Sequence, residues 1–126
     1  IMSICLIVDD SSVVRKVARR IVEKFGYTVA EAADGTDALD YVTSNPMPEA
    51  ILLDWHMPKM QGIDFLENLR KLPNGKDPKV VFCTTENDLQ KISRALWAGA
   101  DEYIMKPFDE DILATKFATV GLRCAA

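Results

Sequence analysis

Apolar residues in this chain gather into short runs, and each of four runs stops at a polar side chain. Ile4-Cys5-Leu6-Ile7-Val8 ends at Asp9-Asp10, Ala50-Ile51-Leu52-Leu53 at Asp54, Val80-Val81-Phe82-Cys83 at Thr84, and Tyr103-Ile104-Met105 at Lys106. Short β-rich runs separated by amphipathic stretches read as buried parallel strands. A further short strand is expected over Thr28–Ala32.

The stretches between carry helical spacing. Ser11-Ser12 offers an N-cap, and Val13, Val14, Val17, Ile21, Val22 and Phe25 follow as the expected inner face of a first helix stopped by Gly26. Arg15, Lys16, Arg19, Arg20 and Lys24 form its other face. After the Asp34-Gly35 turn, Ala38, Leu39 and Val42 mark a second helix that Asn45-Pro46-Met47-Pro48 breaks. Ile63, Phe65, Leu66 and Leu69 mark a third, after a loop running from Trp55 to Gly62. A fourth helix is predicted from Asp88 to Ala98, ending at Gly99, and a fifth from Asp109 with Ile112, Leu113, Phe117 and Val120 on its apolar side. In the fourth helix Leu89, Ile92 and Leu96 are the default core face, while Ala95, Ala98 and Gly99 offer a competing face for close approach to the sheet.

This βα alternation predicts an α/β domain with helices on both faces of a parallel sheet. In such sheets the strands end on one edge, where ligands bind. Asp9, Asp10, Asp54, Thr84 and Lys106 are therefore expected to meet as three carboxylates, a hydroxyl and an ammonium. Taken singly, each is an ordinary turn or strand-end residue. Together on one edge they suit a divalent cation and a phosphoryl group. Mg²⁺ takes one or two carboxylates and keeps waters, and it relieves the repulsion of crowded acids. A carboxylate such as that of Asp54 can attack phosphorus, while Lys106 and Thr84 can hold phosphoryl oxygens.

Bulk properties narrow the class. One domain accounts for 126 residues, with 48% hydrophobic and 27% charged positions. The net charge of -4 argues against direct nucleic-acid binding. No apolar stretch reaches membrane-spanning length, so membrane insertion is not expected. Cys5, Cys83 and Cys124 show no zinc-like spacing, and an odd count in an acidic chain suits the reducing cytoplasm, the expected location. Cys5 and Cys83 read as buried, reduced thiols.

With Val8-Asp9-Asp10, Asp34-Gly35, Asp54-Trp55-His56-Met57-Pro58 and Gly62, Cys83-Thr84-Thr85-Glu86, Gly99-Ala100 and Lys106-Pro107-Phe108 in order, the chain resembles the receiver domain of two-component response regulators, the CheY-like family. The resemblance covers essentially the whole chain. It implies a doubly wound five-stranded parallel sheet of order 2-1-3-4-5, flavodoxin-like, with five helices; that order is the family's own, not a derivation from the sequence. It implies a receiver over residues 2–122, a tail over 123–126, and no output domain in this chain. By the same resemblance Asp54 is the phosphorylation site. Asp10 and Asp54 ligate Mg²⁺ with the backbone carbonyl of His56, Asp9 assists through water, and Thr84 and Lys106 contact the phosphoryl group. Thr84 and Tyr103 form the switch, and His56 and Glu86 tune dephosphorylation. The donor is a phosphohistidine on a histidine kinase or phosphotransfer protein. Such a domain is a signalling switch that catalyses only its own phosphorylation and dephosphorylation.

Remaining features carry expectations of their own. His56, the only histidine, has no second imidazole or thiolate partner in sequence and is expected in an exposed loop. The basic face of the first helix is either solvated or a docking surface for the phosphodonor. The face of helix four, strand five and helix five is the expected output surface, for a downstream protein or a homodimer. Ile92, Trp97 and Tyr103 would supply apolar contact there, with Arg94 and Lys116 at the rim. One rival is a Mg²⁺-dependent phosphohydrolase with an Asp nucleophile; such enzymes carry a second acid where this chain has His56. The other is a flavodoxin-like cofactor binder, whose phosphate would meet Asp9-Asp10 after the first strand.

Overall fold

Alternation along each strand decides the two layers of the core. Strand side chains point to opposite faces in turn. Leu6 and Val8, Ile51 and Leu53, and Val80 and Phe82 join one cluster. Cys5 and Ile7, Ala50 and Leu52, and Val81 and Cys83 join the other. A strand apolar at every position therefore needs a helical layer on each side.

The computed structural model describes residues 3–85 and 89–124. The elements run β1 (Ile4–Val8), α1 (Ser12–Lys24), β2 (Thr28–Ala32), α2 (Gly35–Ser44), β3 (Ala50–Asp54), α3 (Gly62–Lys71), β4 (Lys79–Thr84), α4 (Leu89–Ala98), β5 (Glu102–Met105) and α5 (Glu110–Thr119). The sheet is parallel in the order β2-β1-β3-β4-β5, as the resemblance implies. Helices α2, α3 and α4 cover the face built on Leu53 and Phe82. Helices α1 and α5 cover the other, where Phe117 meets the rings of Phe25 and Tyr27 at 5.6 and 5.8 Å.

Caps set several helix starts. Ser11 Oγ accepts from Val14 N at 3.2 Å, Asp34 Oδ1 from Asp37 N at 2.8 Å, and Asp109 Oδ1 from Ile112 N at 2.9 Å. Gly26 ends α1 with φ of +99°.

Three expected helix faces are corrected. In α1, Val13 and Val17 are 68% and 48% exposed, and the inward positions are Ala18, Ile21 and Val22. The small Ala18 at the centre lets the helix settle closely, which turns the valine stripe away. In α4, Ile92 and Ala95 face inward, while Leu89, Leu96 and Trp97 point out; Trp97 is 89% exposed. The inward side thus combines Ile92 of the leucine stripe with Ala95 of the small-residue stripe, and the small Ala95 lets the helix approach closely. In α5, Leu113 and Phe117 are buried and Ile112 is exposed. Residue Asp88, the expected start of the fourth helix, lies outside the described residues.

Candidate phosphoryl and metal site at the strand ends

Parallel register places the polar residues that end the strands. Val8 pairs with Leu53, so continuing one residue sets Asp9 beside Asp54. Asp54 in turn pairs with Cys83, and Thr84 with Met105. Among the described residues the buried polar ones are Asp9, Asp34, Asp54 and Thr84. Burying a carboxylate is costly without compensation, so the two buried carboxylates Asp9 and Asp54, side by side on one edge, mark a site.

The compensation comes from Lys106. Its Nζ lies 2.6 Å from Asp9 Oδ2 and 3.0 Å from Asp54 Oδ1. Asp9 Oδ1 accepts from Ser11 N at 2.9 Å. Asp10 is exposed at the mouth. Carboxylate oxygens of Asp9, Asp10 and Asp54 all lie within 4.8 Å of one another. Three formal negative charges thus face one ammonium. Burial lifts the Asp54 carboxyl above its ordinary value; the Lys106 hydrogen bond opposes this, and the charges of Asp9 and Asp10 reinforce it. Burial works against the Lys106 ammonium, but its bonds to Asp9 and Asp54 outweigh that and raise its pKa.

Glycines bring the loops in close. Gly62 N donates to Trp55 O at 3.0 Å, and a Cβ on Gly62 would overlap the Asp54 carbonyl oxygen. Gly35 N donates to Met60 O at 3.0 Å, and a Cβ there would overlap that oxygen. The loop that carries His56 is thus fastened at Trp55 and Met60, while the His56 side chain is exposed, as expected. Asp34, absent from the expected site, is buried because it caps α2 and receives Lys59 Nζ at 3.7 Å.

Thr84 and Tyr103 fall on the opposite face of the sheet edge from Lys106. With Trp55, Phe82, Lys91, Ile92 and Ala95 they line a small cavity of about 10 Å³. Lys116 Nζ sits 4.5 Å from the Tyr103 ring centroid and 3.4 Å from Glu102 Oε1. Lys106 N donates to Thr84 O at 2.8 Å, tying the two chemistry-bearing strand ends together. Glu86 lies outside the described residues. Ile92, expected at the output surface, is 8% exposed and serves the core instead.

The basic run of α1 is not a uniform face. Arg15 and Arg19 both bind Glu31 of β2, and Lys24 binds Glu110. Its exposed valines instead line an apolar groove of about 300 Å³ with Pro107 and Phe108, beside Lys106. Sequence reasoning missed this groove because Val13 and Val17 carry the same spacing signal as core positions.

Among known proteins, the family model for the response regulator receiver domain matches residues 5–118. The chain is 34% identical over 116 residues to chemotaxis protein CheY1 of Helicobacter pylori, covering 91% of this chain and 94% of that protein. Its fold is similar to that of chemotaxis protein CheY4 of Vibrio cholerae, with a TM-score of 0.88 and 30% identity over 95% of this chain and 99% of the other. It is also similar to a chain of the CheX–CheY–BeF3–Mg²⁺ complex of Borrelia burgdorferi, with a TM-score of 0.85 and 31% identity over 94% and 88% of the two chains.

Proposed function

The chain belongs to the response regulator receiver domain family, and from that premise we propose that it is a switch phosphorylated on Asp54 in a Mg²⁺-dependent reaction. The observation that carries this reading is Lys106 Nζ held between Asp9 and Asp54 inside a cluster of three carboxylates. The donor set fits a small hard cation: it is all oxygen, partly exposed through Asp10, and short of positive charge. Asp10, Asp54 and the carbonyl of His56 would hold Mg²⁺, with Asp9 acting through water. The ion would supply charge neutralisation for phosphoryl oxygens near Asp54.

The chain's own residues do the rest. An Asp54 oxygen attacks phosphorus in line, and the P–N bond to a donor histidine breaks as the new P–O bond forms; the histidine nitrogen leaves with the electron pair. Lys106 already sits 3.0 Å from that carboxylate and offers its remaining protons to the transferred group. Thr84 accepts the role of a second contact. Moving its hydroxyl toward the phosphoryl group would open space that the Tyr103 ring can fill, so the surface of α4, β5 and α5 changes with it. That surface, with Trp97 fully outward, is the proposed contact for a downstream protein or a second copy. The groove of Val13, Val17 and Phe108 beside Lys106 is the proposed seat of the histidine kinase or phosphotransfer donor. His56 and Glu86 are proposed to set the rate of hydrolysis. The receiver is taken to occupy residues 2–122 and to act in the cytoplasm.

The test is labelling from a small acyl phosphate with Mg²⁺ present. Phosphate labile to both acid and base on the wild type, lost in Asp54→Asn and on chelation, is the expected result. Undiminished labelling of that variant would overturn the assignment.

A further inference from the structure

Arg15 was grouped by its sequence with a basic docking face, but its guanidinium is turned inward. Its side chain is only 19% exposed. Its Nη1 donates to the backbone carbonyl of Asp9 at 2.7 Å. Its Nε donates to Glu31 Oε1 at 2.8 Å, and the other Glu31 oxygen takes Arg19 Nε at 2.7 Å. The guanidinium is thereby fixed from behind and aimed at one carbonyl.

That carbonyl matters because of the peptide it belongs to. A peptide unit is planar, so fixing the Asp9 oxygen fixes the nitrogen and Cα of Asp10. Asp9 is otherwise already locked: its N donates to Ala32 O at 3.1 Å, and its carboxylate oxygens meet Ser11 N and Lys106 Nζ. Asp10 has no such anchor of its own; it is exposed at the cluster's mouth. We propose that Arg15 is a positioning residue which, braced by Glu31, sets the Asp9–Asp10 peptide and through it aims the Asp10 carboxylate at the cation site. This rests on the metal reading given above only for its last step.

Charge and positioning predict opposite signs, which makes the inference testable. Removing the Arg15 cation beside an acidic cluster strengthens cation binding by Coulomb's law alone. Releasing the Asp10 carboxylate weakens it, by about tenfold for loss of an outer-shell partner. Lys16→Met removes one positive charge from the exposed side of the same helix without touching Asp9 or Glu31 and is the control.

The experiment measures two readouts on wild type, Arg15→Met, Arg15→Lys and Lys16→Met. One is Mg²⁺ titration followed by Trp55 fluorescence. The other is the metal-free amide spectrum at Asp10 and Ser11. Arg15→Met is expected to shift both amides and weaken Mg²⁺ about tenfold. Arg15→Lys, with one compact donor, is expected to restore part of the affinity, and Lys16→Met to match wild type or bind slightly tighter. Unmoved amides in Arg15→Met, or Mg²⁺ binding as tight as wild type, would overturn the proposal. If wild type itself gives no saturable Mg²⁺ response while the amides still shift in Arg15→Met alone, the metal reading fails and the positioning of the loop stands.

Discussion

Asp54 is a carboxylate that the fold holds at a cost. Its pKa is raised chiefly by burial, with the neighbouring acids adding to the effect and Lys106 only partly offsetting it. A carboxyl whose folded pKa exceeds its unfolded value costs no stability below the ordinary carboxylate range. The cost grows as pH rises through the raised value and stays above it. Asp54→Asn is therefore expected to melt at higher temperature than wild type at neutral pH without divalent cations. The gap should close at acid pH, and an equal or lower melting temperature at neutral pH would contradict this. Lys106 has the opposite sign. Its raised pKa is a stabilising contribution that is complete below the ordinary lysine value and is lost as pH rises through its folded one. Lys106→Met leaves Asp9 and Asp54 without their cation and is expected to cost about 2–3 kcal/mol, less than a fully dry pair because the mouth is open; denaturant unfolding checks it. The strand-end residues were legible in the sequence because each closes an apolar run. Arg15 was not, since a guanidinium aimed at a backbone carbonyl leaves no spacing signal in a helix already rich in Arg and Lys.

Elements were legible in kind and less so in rotation. Strands β1, β3 and β4 announce themselves because both of their faces are covered, so each carries an unbroken run of at least four apolar residues. Helices α1 and α4 carry more apolar residues than one face can bury, and periodicity cannot say which stripe wins. Close approach decides it: Ala18 and Ala95 sit inward while Val13, Val17, Leu89, Leu96 and Trp97 remain outside. A pair of substitutions tests that division. Phe117→Ala, in the aromatic contact of α5 with Phe25 and Tyr27, is expected to cost about 3–5 kcal/mol. Trp97→Ala is expected to change stability by no more than about 0.5 kcal/mol while weakening association through the α4 surface. A large loss of stability in Trp97→Ala would mean that α4 packs by its other face.

At the scale of the whole molecule, strand order separates β1 from β4 by β3, which keeps Cys5 and Cys83 apart as free thiols. Burial also pushes the Cys5 thiol up to about 12, with the Glu49 charge adding to it. A thiol reagent at neutral pH is expected to reach the half-buried Cys124 first and the other two only on unfolding; fast loss of all three thiols would contradict it. Topology alone was beyond the residues, because βα repeats can be wound in more than one order, and it was the family motifs that selected this one. The same sheet would carry the proposed switch, since β4 and β5 link the site at Lys106 to the cavity between Thr84, Tyr103 and α4. The proposed switch depends on where the phosphoryl group goes. The direct measurement is borohydride trapping after incubation with a phosphodonor and Mg²⁺, followed by peptide mapping, because reduction of an acyl phosphate converts that one aspartate to homoserine. Conversion at Asp54 alone is expected; conversion at Asp9 or Asp10, or at none of the three, would contradict the assignment of the phosphorylation site.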